Sequence, residues 1–236
     1  MGLIHLHQAF RLLNLKVPEQ VASDISLRSI REKITNPALA QALGARKSPS
    51  AIRLAEWCVN LLDSYSESKN ETYLDRADVC YQKLLRSLPP KSRPIITDAM
   101  ATMFNFFVFE QFVVERHRRG DRLSRAELTE YLLRRGSDSI LYGLLLQELD
   151  GINHPHLISG MRVRQALWDI ADDILDLDED RRTGKGNLLI FSSSPREIWV
   201  IAEGLRHGVI DHFSINHPLY LAINKELDRV GELLPS

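Results

Sequence analysis

The stretch Trp168–Asn187, WDIADDILDLDEDRRTGKGN, packs six acidic side chains into the nine residues from Asp172 to Asp180 and then turns basic at Arg181, Arg182 and Lys185. Val163, Leu167, Ile170, Ile174 and Leu177 recur through it at intervals of four and three, the period of an amphipathic helix. The acids therefore belong to a helix, predicted over His156–Asp180. At 3.6 residues per turn, Asp172, Asp176 and Asp180 are offset by only about 40° from one another and form a ladder roughly 12 Å long opposite the apolar stripe. Like charges four residues apart repel by about 0.2–0.5 kcal/mol, and acids near a helix C-terminus oppose the macrodipole. A hard divalent cation such as Mg²⁺ reverses the sign of both terms, because it takes carboxylate oxygens and completes its shell with waters or phosphate oxygens.

Such a run has three readings. A solvated acidic face at a helix end is the plainest. An EF-hand would place Asp176, Asp178 and Asp180 at loop positions 1, 3 and 5, but position 6 is Arg181 instead of Gly and position 12 is Asn187 instead of Glu. The third is a magnesium–diphosphate site, in which the ladder of Asp172, Asp176 and Asp180 holds metal while the basic tail meets the anion.

The residues Asp172 to Lys185, DDILDLDEDRRTGK, resemble the second aspartate-rich motif of the trans-isoprenyl diphosphate synthases, DDxxDxxxDxxxxGK, at all four aspartates, with the Gly-Lys pair, Gly184-Lys185, one residue nearer to the last of them. They also resemble the looser metal motif of class I terpene synthases, with Asp172, Asp176 and Asp180 at its first, fifth and ninth positions. The pattern DxxxDxxEDRxxGxxN, ending at Asn187, is similar to a segment of the bacterial large-terpene synthases. The resemblance implies an isoprenoid-synthase type of fold: a single-domain, all-α helical bundle around a central cavity, covering residues 1–236. It also implies an opposing acidic helix. The nearest counterpart is Asp63-Ser64-Tyr65-Ser66-Glu67, which keeps the first and fifth carboxylates, Asp63 and Glu67, on one helical face but has Ser64 where the family has a second Asp. Asp75 and Asp78 are a weaker alternative pair.

A third element is Arg134-Arg135-Gly136-Ser137, 37 to 38 residues before Asp172, inside a stretch otherwise periodic from Leu128 to Leu149. Glycine in a helix interior costs about 1 kcal/mol relative to Ala, so a break or kink is expected there. Amides freed at a restarted helix, flanked by two guanidiniums, suit a diphosphate oxygen, and related enzymes place diphosphate-binding groups at about this distance. An ordinary helix boundary carrying two surface arginines is the competing reading.

The rest of the chain agrees with an all-α protein. At 236 residues, 44% hydrophobic and net charge −1, it can bury a sizeable core and lacks the charge of a general nucleic-acid binder. Two cysteines, Cys58 and Cys80, point to reduced thiols of a cytoplasmic protein. MGLIHLHQAF has no charged leader region or small-residue cleavage site, and the most apolar window, Ala99–Phe109, is too short for a bilayer, so stable membrane insertion is not expected. Helical periodicity covers Leu3–Leu15, Ala51–Leu62, Tyr73–Leu88, Ile95–Arg118, Arg125–Leu149, His156–Asp180, Arg196–Val209 and Pro218–Leu234. Ser194-Pro195 with Glu197, and Asn216-His217-Pro218, read as helix starts. Phe104, Phe106, Phe107, Phe109 and Phe112 cluster on one helix, as core packing or as the aromatic wall of a carbocation cavity. His154 and His156 flank Pro155 in a loop without zinc-ligand spacing.

By resemblance, the chain is expected to ionise an allylic prenyl diphosphate with Mg²⁺. Asp172, Asp173, Asp176, Asp180, Asp63 and Glu67 would hold the metal, and Arg134, Arg135, Arg181 and Lys185 the diphosphate. Chain-elongating relatives have a basic GGKR-type segment for isopentenyl diphosphate, matched only loosely here by Gly44-Ala45-Arg46-Lys47. A terpene synthase is therefore favoured over a prenyltransferase that elongates or condenses chains. A catalytically weak regulatory subunit of the same fold is the third expectation, and a homodimer is compatible with all three.

Overall fold

The computed structural model describes residues 35–68 and 70–234, apart from the side chains of Glu67, Phe104, Phe107, Val108 and Gln111. The helix predicted over Leu3–Leu15 lies outside the described residues. Those residues form helices and no strand: α1 (Asn36–Ala42), α2 (Ser48–Ser68), α3 (Glu71–Ser87), α4 (Arg93–Arg118), α5 (Arg125–Arg135), α6 (Asp138–Asp150), α7 (Leu157–Leu175), α8 (Leu177–Thr183), α9 (Leu188–Phe191), α10 (Pro195–Ile210) and α11 (Pro218–Leu233). Among them none is long and apolar enough to cross a membrane. Contacts divide the chain into two compact units, one ending at Met100 and taking in Leu144–Ile152, the other made of Ala101–Gly143 and Asn153–Ser236.

In the first unit α2 packs against α1 and α3. Ile52, Ala55, Cys58 and Leu62 of α2 and Leu74, Ala77 and Leu84 of α3 are fully buried at helical spacing, which is what fixes this pairing. The buried Glu56 carboxylate closes the start of α1, accepting from the Thr35 amide at 3.0 Å and from Asn36 Nδ2 at 2.8 Å. Gly44, at φ 88°, lets the chain reverse out of α1. Beyond Ala45, the amides of Arg46, Lys47 and Ser48 all donate to the Asp150 carboxylate at 2.8–3.0 Å and so cap α2. Cys58 and Cys80 are free thiols.

The second unit is built on α7, which packs against α5, α9, α10 and α11. Leu157, Ala166, Leu167 and Ile170 are fully buried, each large apolar side chain contributing about 1.5–3 kcal/mol. Polar caps define the surrounding helices. Ser124 and Glu127 form a reciprocal capping box at α5, and Ser194 accepts from the Glu197 amide at the start of α10, as the sequence predicts.

Two long predicted stretches are each divided. Arg125–Leu149 separates into α5 and α6 at Gly136, where a Cβ would sit 3.3 Å from the Arg162 carbonyl oxygen of α7. His156–Asp180 separates into α7 and α8 at Asp176, whose φ of −94° and ψ of 4° leave the helical region. The backbone ladder still runs through the joint, from the Asp176 amide to Asp172 and from the Asp180 amide to Asp176, both at 2.9 Å. The short helices α1 and α9 are too brief for periodicity to reveal.

Candidate functional site

The acidic segment sits at the end of α7 and along α8, and the helix that carries it has no single acidic face. Asp172 is half-buried, Asp176 exposed, Asp173 and Asp180 buried. The expected ladder opposite the apolar stripe is therefore split, with Asp180 turned inward. The cause is Asn187, whose Nδ2 donates to Asp180 Oδ2 at 2.8 Å and to the Asp173 carbonyl at 2.7 Å. Asn187 is fully buried and also caps α9 through the Leu189 amide at 2.9 Å. One side chain thus ties the end of α7 to α8 and α9.

Two glycines make that return possible. Gly184 ends α8 in the left-handed region at φ 70°, its amide donating to the Asp180 carbonyl at 2.8 Å. Gly186 passes so close to α4 and α5 that a Cβ would come within 3.0 Å of both Glu110 Oε1 and Tyr131 Oη. These two groups are themselves joined, the Tyr131 hydroxyl donating to Glu110 at 2.9 Å.

Asp173 is held from two sides. Arg135 Nη1 donates to its Oδ1 at 2.6 Å, and the Leu188 amide donates to its Oδ2 at 2.7 Å. Arg135 and Asp173, expected as diphosphate and metal contacts, are engaged with each other. Burial is the largest single influence and opposes the charge on Arg135, but Asp173, Tyr131, Asp169 and Glu110 together outweigh it, so the guanidinium stays protonated well above arginine's ordinary range. One turn earlier on the same helix, Asp169 is 5% exposed, accepts from Gln165 Nε2 at 3.0 Å, and has no hydrogen-bond partner on Oδ2. Burial pushes its carboxyl up to about 8, so it carries a proton at neutral pH.

The remaining expected anion contacts lie at the surface. Arg134 is exposed, paired with Glu130 at 2.6 Å and stacked over the Phe109 ring at 4.3 Å. Arg181 is exposed beside Asp178 at 3.9 Å, a pair of little energetic weight. Lys185 is half-buried and acts electrostatically on Asp180. Phe106 approaches Tyr131 at 5.9 Å, while Phe112 is exposed.

In the first unit, Asp63 is exposed near the end of α2 and the Glu67 side chain is outside those described. Ser64, at the position of the missing acid, is buried and donates back to the Asn60 carbonyl at 2.8 Å. The amides of the loosely matching Gly44–Lys47 segment are taken up by Asp150.

Asp169, Glu110, Tyr131 and Arg118 carry no signal in the sequence, because each is a single polar residue within an apolar helical pattern or a basic turn. Arg118, the last residue of α4, reaches the Gly184 carbonyl at 3.4 Å. Asn187 was visible only as the last fixed position of the terpene-synthase-like pattern. The oxygen donors at Asp172 and Asp176 suit Mg²⁺, which binds through one or two carboxylates plus phosphate and water. Among the described residues no three His, Cys, Asp or Glu side chains form a preassembled metal group. Comparison with protein-family models, with curated proteins and with solved structures gives no match to this chain.

Proposed function

We propose that this protein is a Mg²⁺-dependent enzyme of the class I isoprenoid synthase type that ionises an allylic prenyl diphosphate. The observation that carries this reading is the 2.6 Å pairing of Arg135 with Asp173, which brings the Arg-Arg-Gly break and the aspartate-rich segment together although they are 38 residues apart in sequence. Two stretches singled out for diphosphate and metal chemistry thereby become one locus, with acids on one side and Arg134, Arg181 and Lys185 around it. In this reading Asp172 and Asp176 are the first metal donors, and Asp180 follows on release from Asn187. Arg135 and Asp173 set the position of the acidic helix. When bound, Mg²⁺ supplies charge neutralisation for the departing diphosphate. The guanidiniums and Lys185 add to it, because they attract the leaving group more strongly as its negative charge grows.

Asp150 favours a terpene synthase over chain elongation. Its carboxylate fills the amides of Arg46, Lys47 and Ser48, the place where an isopentenyl diphosphate would have to bind in the loosely matching segment. The regulatory-subunit reading is favoured by Ser64, whose hydroxyl is spent on its own helix where an acid would be needed. Incubation with allylic diphosphates of ten to twenty carbons and Mg²⁺ separates the three. Inorganic diphosphate with a hydrocarbon or alcohol from a single substrate supports the terpene synthase. Product only with isopentenyl diphosphate or a second allylic partner supports the transferase, and diphosphate binding without turnover supports the regulatory subunit.

A further inference from the structure

Four of the eight histidines meet in the second unit around Phe213, although they lie up to 63 residues apart. His156 and His212 are face to face, ring centroids 3.5 Å apart and 6° from parallel. His154 stacks on Phe213 at 5.1 Å and lies 5.7 Å from His217, which in turn stacks on Phe213 at 4.8 Å. Phe213 is seated on Gly160 of α7, where a Cβ would come within 2.6 Å of the ring. The cluster thus joins the chain entering α7 to the loop after α10 and to the first residue before α11. Among the described residues no three of these rings converge as metal ligands.

Hydrogen bonds fix the protonation of two of the rings. Nδ1 of His154 accepts from the His156 amide and Nδ1 of His217 from the Leu219 amide, each at 3.2 Å. An amide only donates, so both nitrogens must be unprotonated. His217 is also the residue capping α11, where a positive imidazolium would face the positive end of the helix dipole. The charges acting on His156 are those of His212 and His154, and on His217 that of His154. The other titratable group of the α10–α11 loop, Asp211, is exposed.

We propose that this histidine cluster forms an acid-released latch: with His156 and His217 neutral it holds the α10–α11 loop and the first turn of α11 against the start of α7, and their protonation at mildly acidic pH lets that segment go. Protonation of His217 removes the acceptor of the Leu219 amide and opposes the α11 dipole, and protonation of His156 places a charge in the stacked pair, so the three effects act in one direction. Burial, with the neighbouring histidines, lowers His156 and His217 below the ordinary histidine value of about 6.5. A folded value below the unfolded one means that the latch is fully formed above about pH 6.5 and is lost as pH falls through the folded values.

Amide hydrogen exchange, expressed as protection factors, tests this on the intact chain at pH 7.5 and 5.5. Protection of Leu219 and Leu221 should fall at least about tenfold in acid, while the interior of α5 stays unchanged. The double variant His156→Phe, His217→Asn keeps a stacked ring and an amide acceptor that do not titrate and should lose most of that pH response. Equal protection of the wild-type segment at both pH values overturns the latch, as does an undiminished response in the double variant. Should the double variant fail to fold, the wild-type comparison alone decides.

Discussion

Arg135 and Asp173 form a part-buried ion pair at 2.6 Å, the half-buried arginine from the end of α5 and the aspartate, 2% exposed, from the last turns of α7. The pair anchors the acidic segment, since Asp173 also receives the amide that starts α9. Removing Arg135 leaves the buried Asp173 carboxylate without its counter-charge, a loss of about 3 kcal/mol. Arg135→Met should therefore destabilise strongly in urea unfolding, and adding Asp173→Asn to it should restore part of the loss. Independent, additive effects would show that the pair does not hold the joint.

Asp169 predicts an unusual pH dependence. Its folded value of about 8 lies above the ordinary carboxylate range, so the folded state retains a proton that the unfolded state has already released. Its contribution is fully present below about pH 4 and declines as pH rises toward 8. Asp169→Asn should flatten that decline by at least about 1.4 kcal/mol, the equivalent of one pKa unit. The check is the urea-unfolding free energy of both proteins across this range; parallel curves would refute the protonated state.

Asp150 behaves in the opposite sense. Burial works against its charge, but hydrogen bonds from Ser48, Lys47 and Arg46 outweigh it and hold the carboxyl down at about 2. Its folded value lies below the unfolded one, so its stabilisation is present above about pH 4 and is lost as pH falls toward 2. Asp150→Ala removes the cap of α2 and should cost about 1 kcal/mol at neutral pH, read by thermal unfolding.

Mg²⁺ and inorganic diphosphate should raise the melting temperature together far more than either alone, because each completes the binding groups of the other. Saturation to a hundredfold excess over Kd corresponds to about 2.7 kcal/mol. Asp172→Asn and Asp176→Asn should abolish the synergy and lower any turnover by at least about a hundredfold. Without metal these variants should be no less stable than the wild type, since a repulsive pair is relieved. Additive shifts would sink the metal–diphosphate reading.

Periodicity alone sufficed for the helical class and for most helix spans, because apolar residues at three and four specify a buried stripe whatever lies opposite it. It also placed the break at Gly136 and the cap at Ser194, which depend on local backbone chemistry. What it could not decide was the direction of individual polar side chains. Asp172, Asp176 and Asp180 have the spacing of one face, yet Asn187 draws Asp180 inward, and Asp173 points to an arginine 38 residues away. The four histidines, unremarkable along the chain, become a cluster only because Gly160 admits Phe213 between the ends of three helices. Contacts of this kind depend on which helices pack together, and that is set by the summed burial of many apolar side chains rather than by the spacing of the polar residues themselves.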